Sequence, residues 1–122
     1  MTIEQIKHNL IADLTALCNV AGFELILKPY SKSYYGRYIP KHKRIVLYVY
    51  KDSNLQELYS YEELFSTALH EYTHHIQWCD PNFKRVKGIM HNAQFYEIFN
   101  MLMEKHNNNK ALNRGDKVDT DN

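Results

Sequence analysis

The chain has few cysteines: among 122 residues only Cys18 and Cys79 occur, far apart and outside any Cys-x-x-Cys pair. That excludes a cysteine zinc ribbon and a disulfide-dense scaffold, and both residues are expected as buried free thiols. There is no excess of one charge either. Fifteen Lys and Arg against fourteen Asp and Glu leave +1, so no global field favours nucleic acid or an anionic membrane. No apolar run approaches membrane-spanning length. Met1 to Leu10 carries Glu4, Lys7 and His8 among its apolar residues and does not read as a signal peptide. A soluble cytoplasmic protein is therefore expected. Internal repeats and interdomain linkers are also missing. With 44% apolar residues and 24% charged ones, the chain reads as one globular domain over 1–106 with a polar, disordered tail over 107–122.

What is present can be placed by periodicity. Ile3, Ile6, Leu10, Leu14 and Leu17 fall on one helical stripe, Thr2 can cap its start, and Gly22 follows its end. Phe23 to Leu27 reads as a strand closed by Pro29. Tyr34 to Ile39, the polar turn Pro40–Lys43 and the β-rich run Arg44 to Tyr50 read as a hairpin. The expected sheet is three-stranded and antiparallel. Asp52 to Tyr59 is a polar connection. Ser60-Tyr61-Glu62-Glu63 has the form of a capping box and starts a helix that should run to about Trp78, before Asp80-Pro81. A last helix is expected from about Met90 to His106, stopped by Asn107-Asn108-Asn109. The fold class is thus α+β.

The chemistry is concentrated in His70-Glu71-Tyr72-Thr73-His74. On a helix, histidines four residues apart project about 40° from each other and can share one metal ion. Glu71 lies about 100° from His70, beside the metal rather than on it, where it can take a proton from an activated water. The pentapeptide by itself occurs by chance in many proteins, but here the helix separates its faces. His70, Glu71, His74, Thr67 and Trp78 lie on one side; Leu64, Phe65, Ala68, Leu69, Tyr72 and Ile76 crowd the other. His75 falls about 140° from His70 and is expected to be a hydrogen-bonded structural residue.

A catalytic zinc takes three protein ligands and leaves a place for water. His91, at the start of the last helix and on its apolar stripe with Phe95, Ile98 and Leu102, is the geometric choice for the third. Glu97 is the alternative.

His70-Glu71-x-x-His74, a variable loop and His91-x-x-x-Phe95 resemble the small gluzincin-type zinc metallopeptidases, especially SprT-like proteins. The resemblance covers about residues 1 to 106, with a helix and three-stranded sheet before the active helix. It implies a zincin-like minimal domain in which His70, His74 and His91 hold Zn2+ and Glu71 is the catalytic base. This chain departs in having Asn92 where SprT-like proteins commonly have glycine, and it lacks their cysteine ribbon. A polypeptide substrate is implied more firmly than a DNA-bound one.

Such chemistry also needs donors for an oxyanion, and Tyr34, Tyr35, Tyr38, Tyr48 and Tyr50 all fall in the expected sheet. Peptide substrates of this kind add alongside an edge strand, which the hairpin Tyr34 to Tyr50 would provide. Lys41-His42-Lys43-Arg44 and Lys84-Arg85-x-Lys87 are the positive concentrations; both read first as solvated turns and second as docking points for nucleic acid phosphates. The rival function is a zinc-stabilised binding or regulatory domain without turnover. Glu71 speaks against it, because a structural site needs no base.

Overall fold

The computed structural model describes residues 1–83 and 90–113. Helix α1 (Ile3–Leu17) begins in a capping box: Thr2 accepts from the Gln5 amide, and the Gln5 side chain accepts from the Thr2 amide. It is followed by β1 (Glu24–Lys28), β2 (Gly36–Ile39), a 3-10 turn at Pro40–His42, and β3 (Arg44–Tyr48). Helix α2 (Tyr61–Cys79) starts at the Ser60–Glu63 capping box, as the sequence predicts. Helix α3 (Ala93–Asn113) follows. Among the described residues no helix is long and apolar enough to cross a membrane.

The α+β class holds, but the sheet is mixed rather than antiparallel. Its order is β1-β3-β2, with β2 antiparallel to β3 and β1 parallel to it, Glu24 opposite Arg44 and Leu27 opposite Leu47. Residues 29–35 therefore carry the chain past β3 instead of turning it back in a hairpin. The central place suits β3: Ile45, Val46 and Leu47 are all buried, as expected of a strand without a wet face.

The core lies between the sheet, α1 and α2. Leu10 and Leu14 of α1 meet Ile45 and Leu47 of β3 and Phe65, Leu69 and Tyr72 of α2, all of them inaccessible to solvent. Burying each such aliphatic side chain contributes about 1.5–3 kcal/mol. Two tyrosines tie the helices together by their hydroxyls. Tyr72 donates to the Cys18 carbonyl and accepts from the Val20 amide at 2.9 Å, fixing the exit of α1. Tyr61 donates to Asp13 at 2.5 Å, joining α2 to α1. Cys18 and Cys79 are free, as expected, but half-buried rather than buried.

Burial, and then the bond to Asp13, raise the Tyr61 phenol well above its ordinary value. The sign follows from linkage: the proton is held more tightly in the folded state, so this stabilisation is intact below the ordinary tyrosine pKa. It is lost as pH rises beyond that value. Urea midpoints measured from about pH 9 to 11 should fall steadily for the wild type, and less steeply for Tyr61→Phe. Parallel slopes would show that the Tyr61–Asp13 bond is not coupled to folding.

Helix α3 differs from expectation at both ends. It starts at Ala93 because Asn92 acts as its cap, accepting the Phe95 amide on Oδ1 at 2.8 Å. It also runs through Asn107-Asn108-Asn109 to Asn113. Each asparagine costs only about 0.7 kcal/mol of helix propensity, and tertiary contacts on either side override that. The His106 ring stacks on Phe65 at 3.7 Å and its Nε2 lies 3.3 Å from the Glu62 carboxylate. Lys110 reaches the same carboxylate at 3.2 Å, and Lys105 donates to the Leu17 carbonyl. The expected tail beyond 113 and the basic cluster Lys84-Arg85-x-Lys87 lie outside the described residues. Of the other cluster, Lys41, His42 and Lys43 are exposed, while Arg44 pairs with Glu24 at 2.7 Å.

Candidate metal centre

One turn of α2 and the residue before the α3 cap supply the site. His70 and His74 leave α2 on the side opposite Phe65, Leu69 and Tyr72, which are anchored in the core. His91 precedes Asn92, and that position is held from α2: buried Gln77 donates from Nε2 to Asn92 Oδ1 at 3.2 Å and to Gln94 Oε1 at 2.9 Å. Asn92 thus has a physical role of its own. It caps α3 and receives the Gln77 bond that brings His91 over α2.

The three imidazoles converge through Nε2. His70 and His91 are 3.0 Å apart at these nitrogens, His74 and His91 3.2 Å. The three donor atoms all lie within 4.8 Å of one another. Zinc–nitrogen bonds of about 2.0–2.1 Å in a tetrahedron put neighbouring donors about 3.3–3.4 Å apart, close to this spacing. Three imidazole donors at this spacing could hold one transition-metal ion, zinc among them. Among the described residues this group has three donors and no carboxylate: Glu97, the alternative third ligand, is exposed on α3 and stands outside it.

Phe95 packs against all three histidines. Its fully buried ring lies 4.9 Å from His70, 4.7 Å from His74 and 4.9 Å from His91, measured between ring centres. An apolar wall behind all three rings restricts their rotation and leaves their nitrogens facing one another. Burial, and next the proximity of His91, lower the His70 pKa, which keeps its lone pair available near neutrality.

Glu71 is buried at 8% exposure and borders the same cleft as His70. Burial pushes its carboxyl up to about 7; a cation held by the histidines would pull it down again. His75 has the structural role assigned to it. Its Nε2 faces the carbonyls of Val20 and Ala21, both at 3.2 Å, so that nitrogen carries the proton and the Tyr38 hydroxyl donates to Nδ1 at 2.8 Å.

The cleft has a volume of ≈350 Å³ and runs between β2 and α2. Tyr34, Tyr35 and Gly36 form one side, Thr67, His70 and Glu71 the other, and Phe99 of α3 closes it. Gly36 is required by packing: a Cβ there would lie 2.8 Å from Thr67 Cγ2, so only glycine lets the strand approach the helix this closely. Because the Tyr48 amide donates to the Tyr35 carbonyl, residues 35, 37 and 39 direct their peptide groups to β3. The peptide groups of Gly36 and Tyr38 point away from β3, to the side of β2 that pairs with no strand among the described residues.

Of the five tyrosines expected in the sheet, only Tyr38 and Tyr48 lie in its strands; Tyr34 and Tyr35 precede β2 and border this cleft. Tyr38 is engaged with His75, and Tyr50 pairs with Leu58 beyond the sheet. Phe99 and the segment Ser33–Gly36 are cleft walls that the motif does not reveal. The signal for Phe99 was its place one turn beyond Phe95; the approach of residues 33–36 depends on the strand order and had none. Comparison with protein-family models, with curated proteins and with solved structures returned no match.

Proposed function

We propose that the protein is a zinc-dependent peptidase, with Zn2+ held by His70, His74 and His91 and Glu71 as general base. The observation that carries this reading is the meeting of three imidazole nitrogens near a buried carboxylate on the wall of a cleft. A zinc ion supplies a Lewis acid that lowers the pKa of water from about 15.7 towards 7 and polarises a carbonyl. Glu71 accepts the proton from the attacking water and delivers it to the leaving amine, so one carboxylate serves both halves of the reaction. The open edge of β2 offers the Gly36 peptide group to an extended substrate, in the manner of strand addition. Tyr34 and Tyr35 bring phenolic donors to the cleft.

The resemblance to SprT-like metallopeptidases supports this reading through the same residues. The rival is a metal-stabilised binding domain, which would close its fourth position with protein. The described donor group stops at three and has a base beside it, and both features favour turnover. The test pairs metal analysis of the purified chain with a broad peptide-cleavage screen. One bound zinc and metal-dependent cleavage are expected; zinc without cleavage of any peptide would leave the rival.

A further inference from the structure

The cleft has a neighbour away from the histidines, toward the start of α2. Across Tyr35, Ser66 and Thr67 it adjoins a second compartment of ≈340 Å³, walled otherwise by Tyr48, Tyr59, Glu63 and Leu64. Three phenol rings and one carboxylate dominate this space. Aromatic faces carry negative potential and attract ammonium and guanidinium groups, and a carboxylate adds to that field. Tyr35 and Tyr59 brace each other edge to face, 5.8 Å between centres at 68°.

The chain's own cation marks this preference. Lys51 holds its ammonium 5.7 Å from the centre of the Tyr59 ring and 3.7 Å from the Glu63 carboxylate. It does not balance the local charge, since Glu57 lies 3.7 Å from the same ammonium and two carboxylates share one cation. Glu63 and Glu71 are eight residues apart on α2, about 12 Å along the axis at 1.5 Å per residue. An extended peptide covers that distance in about three or four residues.

We propose that this compartment is a specificity subsite that receives a lysine or arginine side chain of the substrate, about three or four residues from the scissile bond. It rests on the peptidase reading only in naming a scissile bond; capture of a basic side chain needs no turnover. The test is peptide binding to the zinc-loaded chain carrying Glu71→Gln, so that nothing is consumed. Extended peptides would place lysine, norleucine or glutamate at one position at a time.

Lysine should bind roughly fivefold to tenfold more tightly than norleucine at one position, with glutamate weakest there. Glu63→Gln should bring lysine and norleucine to near parity. Glutamine still closes the capping box on Ser60, so the helix start is kept. Lys51→Met should widen the preference by removing the competing ammonium. Equal binding of lysine and norleucine at every position, no binding at all, or a preference unchanged by Glu63→Gln overturns the subsite. A lysine preference in a wild-type chain that cleaves nothing overturns the peptidase reading and leaves the subsite standing.

Discussion

Glu71→Gln should keep one zinc per chain and lose peptide hydrolysis by about 10²–10⁴-fold, the contribution expected of a positioned general base. The substitution preserves size and shape in a buried position and leaves the three imidazoles and their Phe95 backing untouched. What it removes is proton affinity. The amide cannot accept a proton from water or return it to the amine, so the loss should appear in kcat with little change in KM. The fold should not suffer: burial disfavours the Glu71 carboxylate, and a neutral amide is no harder to bury. An unchanged melting temperature with intact metal content separates lost chemistry from lost structure. Undiminished hydrolysis in the glutamine chain would remove Glu71 from the mechanism and with it the main argument for turnover.

The parts of this site that lie within one helix are legible because the helix repeat converts spacing directly into geometry. Ser60 and Glu63 announce the start of α2, and the apolar arc from Leu64 to Tyr72 says which way its other face must point. His70, Glu71 and His74 then have no freedom left. His91 is less local. Its stripe with Phe95 and Leu102 identifies the packed side of α3, yet its delivery to the site depends on Gln77 and Asn92, two side chains that no periodicity distinguishes.

Strand order is a different kind of problem. The residues of β1 and β3 read as strands by composition, but their parallel pairing is decided by how residues 29–35 cross the sheet. The hairpin of β2 and β3 forms as expected, but extending antiparallel pairing to β1 gives an arrangement that the structure corrects. The same crossing brings Ser33–Gly36 against α2, so the cleft walls were hidden for the same reason. The second compartment is more distant still: Tyr48, Tyr59 and Glu63 meet Tyr35 only after the sheet and α2 have packed. At the far end of α3, an asparagine run that reads as a stop is overridden by contacts of His106 and Lys110 with Glu62.

The proposed third ligand, His91, gives the second large effect. His91→Ala should weaken zinc binding by more than about 100-fold, because even supporting residues around a metal are worth 10–100-fold and this one supplies a donor. Glu97→Ala should leave binding unchanged, since Glu97 is exposed and stands outside the donor group. Stability provides an independent readout. A metal at a hundredfold excess over its Kd adds about 2.7 kcal/mol to a fold that binds it and to no other state, which for a domain of this size is about 10 °C in Tm. Chelation should therefore lower the melting temperature of the wild type and of Glu97→Ala by that order, and scarcely move His91→Ala. Phe95 keeps its contacts with His70 and His74 when His91 is removed, so a small chelation shift in the alanine chain should report on metal rather than on lost packing. If His91→Ala keeps its zinc while Glu97→Ala releases it, the carboxylate is the third donor and the convergence of the three histidines is not the metal site.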